Sequence, residues 1–318
     1  MSFRLLFARI WPTMRRFVTR VGFVVFNHIH WPADNQAQRL FHGRGHAYPG
    51  YEHVNIDWYA PLVLITLYRP ADDLWLQQLV AELRRHLPRA TQIVAQQRYL
   101  RDGPFVWLAG AATERLVLQE QGLKYWLTLG QQQNTGIFLD MANGRRWLQQ
   151  CSRGKRVLNL FAYTCAFSVA AHAGGASKIV NVDMSKASLA AGRNNHRLNN
   201  QDLDRVIFEG VDIFKSFGRI KKHGPYDLVV CDPPTFQKGS VNIERDYGKI
   251  LRRLPQFCSP GAELLLCLNS PDLDETFLQQ QVAEHCPDCQ LIRRIDNPDV
   301  FVEAQSGKGL KALLYRYG

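Results

Sequence analysis

Asp183, Asp212 and Asp232 each follow a short apolar run. A carboxylate at a strand end can accept hydrogen bonds from a ligand's hydroxyl or amino groups, and it can equally cap a following helix. Asp232 is followed by Pro233, Pro234, Thr235 and Phe236. Proline has no amide hydrogen and cannot sit inside a central strand, so the run from Asp227 to Cys231 stops at Asp232. A residue before proline is pushed to extended backbone, which makes Asp232-Pro-Pro a stiff turn. Such a turn offers a carboxylate, carbonyls that no ladder uses, and an aromatic face. Those parts suit a flat heterocycle bearing ring amino or imino groups. Asp232 and the Pro233 carbonyl are expected to hold its edge, Pro234 to keep the turn stiff, and Phe236 to stack on the ring.

Upstream, one apolar run leads through Asn159, Leu160, Phe161, Ala162, Tyr163, Thr164 and Cys165 into a helix. No G-x-G-x-x-G and no Walker lysine stands there. A pyrophosphate needs close backbone approach at a glycine-rich helix start, so a dinucleotide or nucleoside triphosphate is disfavoured. Asp183 follows about twenty residues later, where nucleoside-binding sheets place the acid that accepts from ribose hydroxyls. Asp212 is placed to accept from an adenine amino group, with Ile213 flanking the ring. A ribose acid and an adenine acid without a phosphate loop imply a nucleoside carrying no phosphates. S-adenosylmethionine is such a ligand.

These residues need a scaffold, and the pattern supplies one. From about Val157, apolar runs alternate with helical stretches, the mark of a doubly wound parallel sheet. The strands expected are 157–161, 179–183, 206–211, 227–231, 264–268, 291–295 and 310–315, with helices at 168–173, 185–199 and within 242–258. Residues 45–130 read as a small α+β unit, with strands at 54–58, 62–68, 92–99 and 115–129 and a helix at 72–86. Residues 131–318 form the larger α/β domain. Residues 1–44 are a basic extension in which Phe3, Phe7, Ile10, Met14 and Phe17 fall at helical spacing, fit for RNA, an anionic membrane surface or simple packing.

Further motifs carry the resemblance. Gly122-Leu-Lys-Tyr-Trp-Leu-Thr-Leu, Asn134-Thr-Gly-Ile-Phe-Leu-Asp140, Val157-Leu-Asn-Leu-Phe-Ala-Tyr-Thr, Val182-Asp183-Met184-Ser185 and Asp232-Pro-Pro-Thr-Phe236 occur in order. Over residues 46 to 318 the chain resembles the bacterial 23S ribosomal RNA methyltransferases, most nearly the guanine-N7 half of the fused two-activity enzyme. The resemblance implies a class I, Rossmann-like methyltransferase sheet with a last antiparallel strand, and a smaller α+β domain before it. It implies S-adenosylmethionine as cofactor and guanine in RNA as methyl acceptor. It also implies that Asp140 lies beside the methionine part of the cofactor, that Asp183, with Met184 and Ser185, holds the ribose, and that Asp212 holds the adenine. The family usually has glycine where this chain has Cys165. Its cytosine-C5 relatives carry a nucleophilic cysteine where this chain has Asn269, and Cys267 sits inside the apolar run. A C5 mechanism needs an exposed thiolate, so a nitrogen acceptor is expected.

The totals agree with this direction. The net charge of +11 favours a nucleic-acid partner, with Arg245 and the pairs Lys221-Lys222 and Arg252-Arg253 as phosphate contacts. No apolar run approaches the roughly 20 residues of a membrane helix. The seven cysteines are odd in number and partly inside apolar runs, as in a reduced cytoplasmic protein. Cys286-Pro-Asp-Cys289 lacks a second pair and reads as a structural loop, and the histidines of Phe41-His-Gly-Arg-Gly-His46 lack a third ligand, so no metal is expected. Two rival readings stay open: a methyltransferase for a small molecule or protein side chain, and an RNA-binding protein with a decayed cofactor site.

Overall fold

The computed structural model describes residues 26–130, 134–237 and 241–318, apart from the side chains of Phe236 and Gln237. The amphipathic stretch expected between Phe3 and Phe17 lies outside these residues. The chain divides into two compact units, one of residues 1–114 and 129–133, the other of 115–128 and 134–318.

The first unit is a five-stranded sheet in the order β1 (Gln38–His42), β2 (Val54–Tyr59), β3 (Leu62–Leu67), β4 (Gln92–Gln97) and β5 (Phe105–Ala109). Helix α1 (Asp73–His86) links β3 to the parallel β4. Asp72 starts it by accepting from the Trp75 amide at 2.9 Å, and Leu79 and Leu83 bury its apolar face. The core of this unit gathers Leu40, Ile56, Trp58, Ile65 and Ile93. β1 lies in the stretch read as an extension, and β5 was not expected. Both are edge strands of five residues: β1 mixes polar and apolar side chains, and β5 is a short apolar run without alternation.

The second unit begins with the hairpin β6 (Arg115–Glu120) and β7 (Leu123–Thr128), then α2 (Ala142–Cys151) and β8 (Arg156–Leu160). It continues through α3 (Ala166–Ala173), β9 (Lys178–Val182), α4 (Lys186–Leu198), β10 (Val206–Glu209), α5 (Phe217–His223) and β11 (Tyr226–Cys231). After the two-residue strands β12 (Phe236–Gln237) and β13 (Val241–Asn242) come α6 (Ile243–Leu251), β14 (Cys258–Leu268), α7 (Glu275–His285), β15 (Cys289–Arg294) and β16 (Lys311–Tyr317).

Seven of these strands form one sheet in the order β10-β9-β8-β11-β14-β16-β15. The first five are mutually parallel, and β16 runs antiparallel between β14 and β15. The strands β8 and β11 and the second half of β14 are buried almost throughout, because helices cover both faces of the sheet. The chain winds outward from β8 to β10, then returns to the other side at β11. That reversal opens a crevice at the carboxyl ends of β8 and β11, the place where sheets of this kind take ligands.

Two expectations need correction. The sequence pattern places segment 115–129 with the small unit, but its hairpin belongs to the second. Asn195 of α4 accepts from the Trp126 amide at 2.9 Å, Asn199 accepts from the Lys124 amide at 2.8 Å, and Arg145 of α2 pairs with Glu120. The strand expected from Leu264 begins at Cys258 instead. Its register on β11 jumps from Tyr226↔Cys258 to Leu228↔Glu263, so Ser259-Pro-Gly bulges out of a strand rather than preceding it.

Candidate active site

At the carboxyl edge of the seven-stranded sheet lies a cavity of about 350 Å³. It is lined by Asp140, Asn159, Phe161, Ala162, Tyr163, Thr164, Asp183, Met184, Ser185, Asp212, Ile213, Asp232, Pro233 and Pro234. Every residue predicted for the site is brought together here except Phe236. Its backbone forms β12, and its side chain lies outside the described part.

The loop after β8 is built from strained backbone. Phe161, Tyr163 and Cys165 all take left-handed φ, at 56°, 46° and 60°. Conformations of this kind cost about 1–3 kcal/mol each and persist only where the surroundings hold them. Here the holds are explicit. The Tyr163 amide donates to Asp183 Oδ2 at 2.8 Å, the Cys165 amide to the Ala162 carbonyl at 2.7 Å, and Asn195 Nδ2 to the Thr164 carbonyl at 3.0 Å. The Thr164 hydroxyl donates to the Gly136 carbonyl at 2.5 Å. Cys165 fits because residue 192 on α4 is glycine: a Cβ there would lie 2.4 Å from the Cys165 sulfur.

Asp183 leaves the end of β9. Its carboxylate accepts from the amides of Tyr163 and, at 2.7 Å, Ser185, so it ties the first loop to the start of α4. Asp212 follows β10 and accepts from the Phe214 amide at 2.9 Å. Both carboxylates therefore cap local backbone while facing the cavity. Ile213, Phe214 and Met184 supply apolar wall beside them.

Opposite this edge stand Asp140 and Asp232. Asp232 is partly accessible from the cavity, yet its carboxyl is pushed up to about 7, first by burial and second by the neighbouring Asp140 charge, with Arg145 opposing. The Thr235 hydroxyl donates to the Asn269 carbonyl, which locks the proline turn to the end of β14. The buried Lys311 ammonium donates to the next carbonyl, that of Ser270.

Arg145 belongs to the site although no motif in the sequence announces it. Its guanidinium is 3% exposed and makes two 2.6 Å bonds to Glu120 and one of 2.9 Å to the Phe138 carbonyl. It thereby fixes the loop that carries Asp140. The available signal was a charged residue on the apolar side of α2, between Gly144 and Leu148. Asn269, Ser188 and Phe167 also line the cavity and were not assigned to the site.

A family model for S-adenosylmethionine-dependent methyltransferases matches residues 38–316. The chain belongs to this family. It is therefore an S-adenosylmethionine-dependent methyltransferase with a Rossmann-like sheet. It is 27% identical over 280 residues to the ribosomal RNA large subunit methyltransferase I of Aeromonas salmonicida, covering 83% of this chain and 71% of that one. It is 31% identical over 232 residues to the ribosomal RNA large subunit methyltransferase K/L of Hahella chejuensis, covering 68% of this chain but only 32% of that longer protein. A candidate methyltransferase from Streptococcus mutans has a solved structure that matches with a TM-score of 0.82 at 26% identity, over 95% of this chain and 81% of its own. The protein SMU.776, solved with SAH, matches with a TM-score of 0.79 at 27% identity, over 96% of this chain and 80% of its own.

The described residues of this methyltransferase gather no group of three or more His, Cys, Asp or Glu side chains able to hold a metal ion. No helix among them is long and apolar enough to cross a membrane.

Proposed function

We propose that this methyltransferase acts on a nitrogen of a base in ribosomal RNA, and that the base is guanine. The observation that carries this reading is the Asp232-Pro-Pro turn, which shares one cavity with the two acids suited to a nucleoside. The names of the Aeromonas and Hahella relatives support a large-subunit ribosomal RNA substrate.

The cavity fits S-adenosylmethionine on its donor set. Asp183 takes the ribose hydroxyls, Asp212 the adenine amino group, and Ile213 and Met184 flank the ring. The loop Phe161–Thr164 and Ser185 close around the sugar, and Asn159 and Asp140 face the methionine part. When bound, the cofactor supplies a methyl group on a positively charged sulfur. Displacement at that carbon needs no acid for its leaving group, so the protein's task is placement of the accepting nitrogen. Asp232 and the Pro233 carbonyl hold the base edge, Pro234 stiffens the turn, and Phe236 stacks. A base read in this way leaves its own stack first, and its Watson–Crick edge is what a carboxylate can grip.

The test is mass mapping of ribosomal RNA from cells with and without the gene. Loss of one methyl group from a guanine in the large-subunit RNA is the expected result. Ribosomal RNA that is identical in both strains would move the reading to another acceptor.

A further inference from the structure

A line of buried polar side chains runs from the cavity wall into the body of the second unit. Asn159 Nδ2 on β8 donates to Asn181 Oδ1 on β9 at 2.9 Å. Asn181 Nδ2 donates to Ser168 Oγ on α3 at 2.9 Å. Ser168 Oγ lies 2.8 Å from His196 Nε2 on α4. None of the four residues is more than 2% exposed. Beyond His196, Gln201 donates through Nε2 to the Val169 carbonyl at 3.0 Å.

The direction of every bond in this line can be worked out. Gln201 gives its amino group to a carbonyl, so its Oε1 can only accept. That oxygen and His196 Nδ1 are both sealed from solvent without a partner, and Gln201 is the side chain that the His196 ring meets as a hydrogen-bonding neighbour. The imidazole that complements Gln201 Oε1 carries its proton on Nδ1, and a neutral ring of that kind leaves Nε2 as an acceptor. The Ser168 hydroxyl, which accepts from Asn181 through one lone pair, therefore gives its hydrogen to His196 Nε2. Burial agrees, since it pushes His196 down to about 4. The His172 ring, 5.7 Å away, adds a like-charge cost to protonating His196 and favours the neutral ring further. At the other end, Asn159 has its amino group committed to Asn181. Its Oδ1 has no protein partner among the described residues, is not sealed from solvent, and belongs to a side chain that lines the cavity. Turning this amide over would set Asn159 Oδ1 against Asn181 Oδ1 and require every link behind it to reverse.

β8 lies between β9, which ends at the proposed ribose acid, and β11, which leads to Asp232. The part of the cofactor that passes over β8 is the methionine part, and its donor is an ammonium group. We propose that Asn159 Oδ1 accepts from that ammonium group, and that Ser168 and His196 are positioning residues that keep the oxygen, rather than the amino group, turned to the cavity. This rests on the placement of the cofactor in this cavity.

Two measurements test it, neither of them turnover. The first is nitrogen NMR of the imidazoles in the wild-type protein without ligand. His196 should show a neutral ring protonated on Nδ1 across the whole range in which an ordinary histidine titrates. An Nε2-protonated or charged ring overturns the proposal, and this arm needs no variant. The second is calorimetry with S-adenosylmethionine and with adenosine, which lacks the ammonium group. Ser168→Ala should weaken S-adenosylmethionine about tenfold, the loss of one bond to a charged group, and leave adenosine unchanged. Ser168→Thr, which keeps the hydroxyl, should restore the affinity. Equal weakening of both ligands would mean a general loosening of the site, and no weakening of either would mean that the line does not act; both overturn the proposal. Asp183→Ala separates this from the cofactor reading itself. If it too leaves both ligands unaffected, the cavity assignment fails and not merely the relay.

Discussion

Asp183 is engaged by the protein itself, since it accepts from two amides. A carboxylate has about four lone-pair sites, so ribose hydroxyls can join those bonds without displacing them. Asp183→Ala removes the ribose acceptor and unties the first loop as well. Charge-assisted bonds are worth about 1.5–3 kcal/mol each, so calorimetry should show at least about a tenfold loss of S-adenosylmethionine affinity. Asp232 carries a different signature. Its folded carboxyl sits near 7 against an ordinary value of 3.8, so the folded state holds a proton that the unfolded chain has released. Its contribution to stability is therefore largest at low pH and declines as pH rises from about 4 toward about 7. Activity should run the other way, because gripping the base edge needs the ionised form. The rate measured as kcat/KM should rise through neutral pH, and a cationic cofactor should draw the midpoint for kcat lower. A flat profile between pH 6 and 8 (roughly one unit on either side of neutral) would remove Asp232 from the reaction. Cys165 and Gly192 form a third case. Gly192→Ala alone drives a Cβ into the thiol and should disrupt the loop. Combined with Cys165→Gly, which clears the space and relaxes a left-handed backbone, it should be tolerated, and thermal melts of the two single variants and the double variant would show it.

β14 shows how an element sorts neighbours into separate roles. Cys267 is fully buried and its thiol is raised well above the ordinary range, chiefly by burial, while Asn269, just past the strand end, lines the cavity. Cys267→Ser should therefore leave methyl transfer nearly unchanged and trap no adduct with a fluorinated cytosine substrate. A buried hydroxyl lacking a good partner should lower stability by about 1–3 kcal/mol, readable in a melt. The parallel strands are legible from sequence because two-sided burial writes them as short, mainly apolar runs, interrupted by Asn159 in β8 and Asn181 in β9, and the acids that follow them mark the cavity. Arg145 was not legible: a guanidinium inside a helix gives no sign of the Glu120 that neutralises it 25 residues upstream. The ownership of the β6–β7 hairpin was hidden for a related reason. Its alternating pattern states that one face is covered, but not by which partner.

For the molecule as a whole, the charge of +11 is the broadest statement the sequence makes about its partner. If RNA is the acceptor, KM should climb steeply with salt, because counterions compete for phosphate-contacting cations, while S-adenosylmethionine affinity changes little. A KM that ignores salt would favour a small acceptor.

The interleaving of the two units has a practical consequence for anyone wishing to dissect the gene. The polypeptide passes from the first unit to the second at residue 114, returns at 129, and leaves again after 133. No single cut yields two whole halves. A fragment starting at 134 would lose the hairpin and expose the seat of Tyr125, Leu118 and Leu127, and it would strand the Arg145 guanidinium inside the protein without its carboxylate. Removing one member of a buried ion pair costs about 3–5 kcal/mol, a large share of what holds a domain of this size together. A fragment starting at 115 keeps that pair. Expressed side by side, the longer piece should be recovered folded and able to bind S-adenosylmethionine, and the shorter one should not.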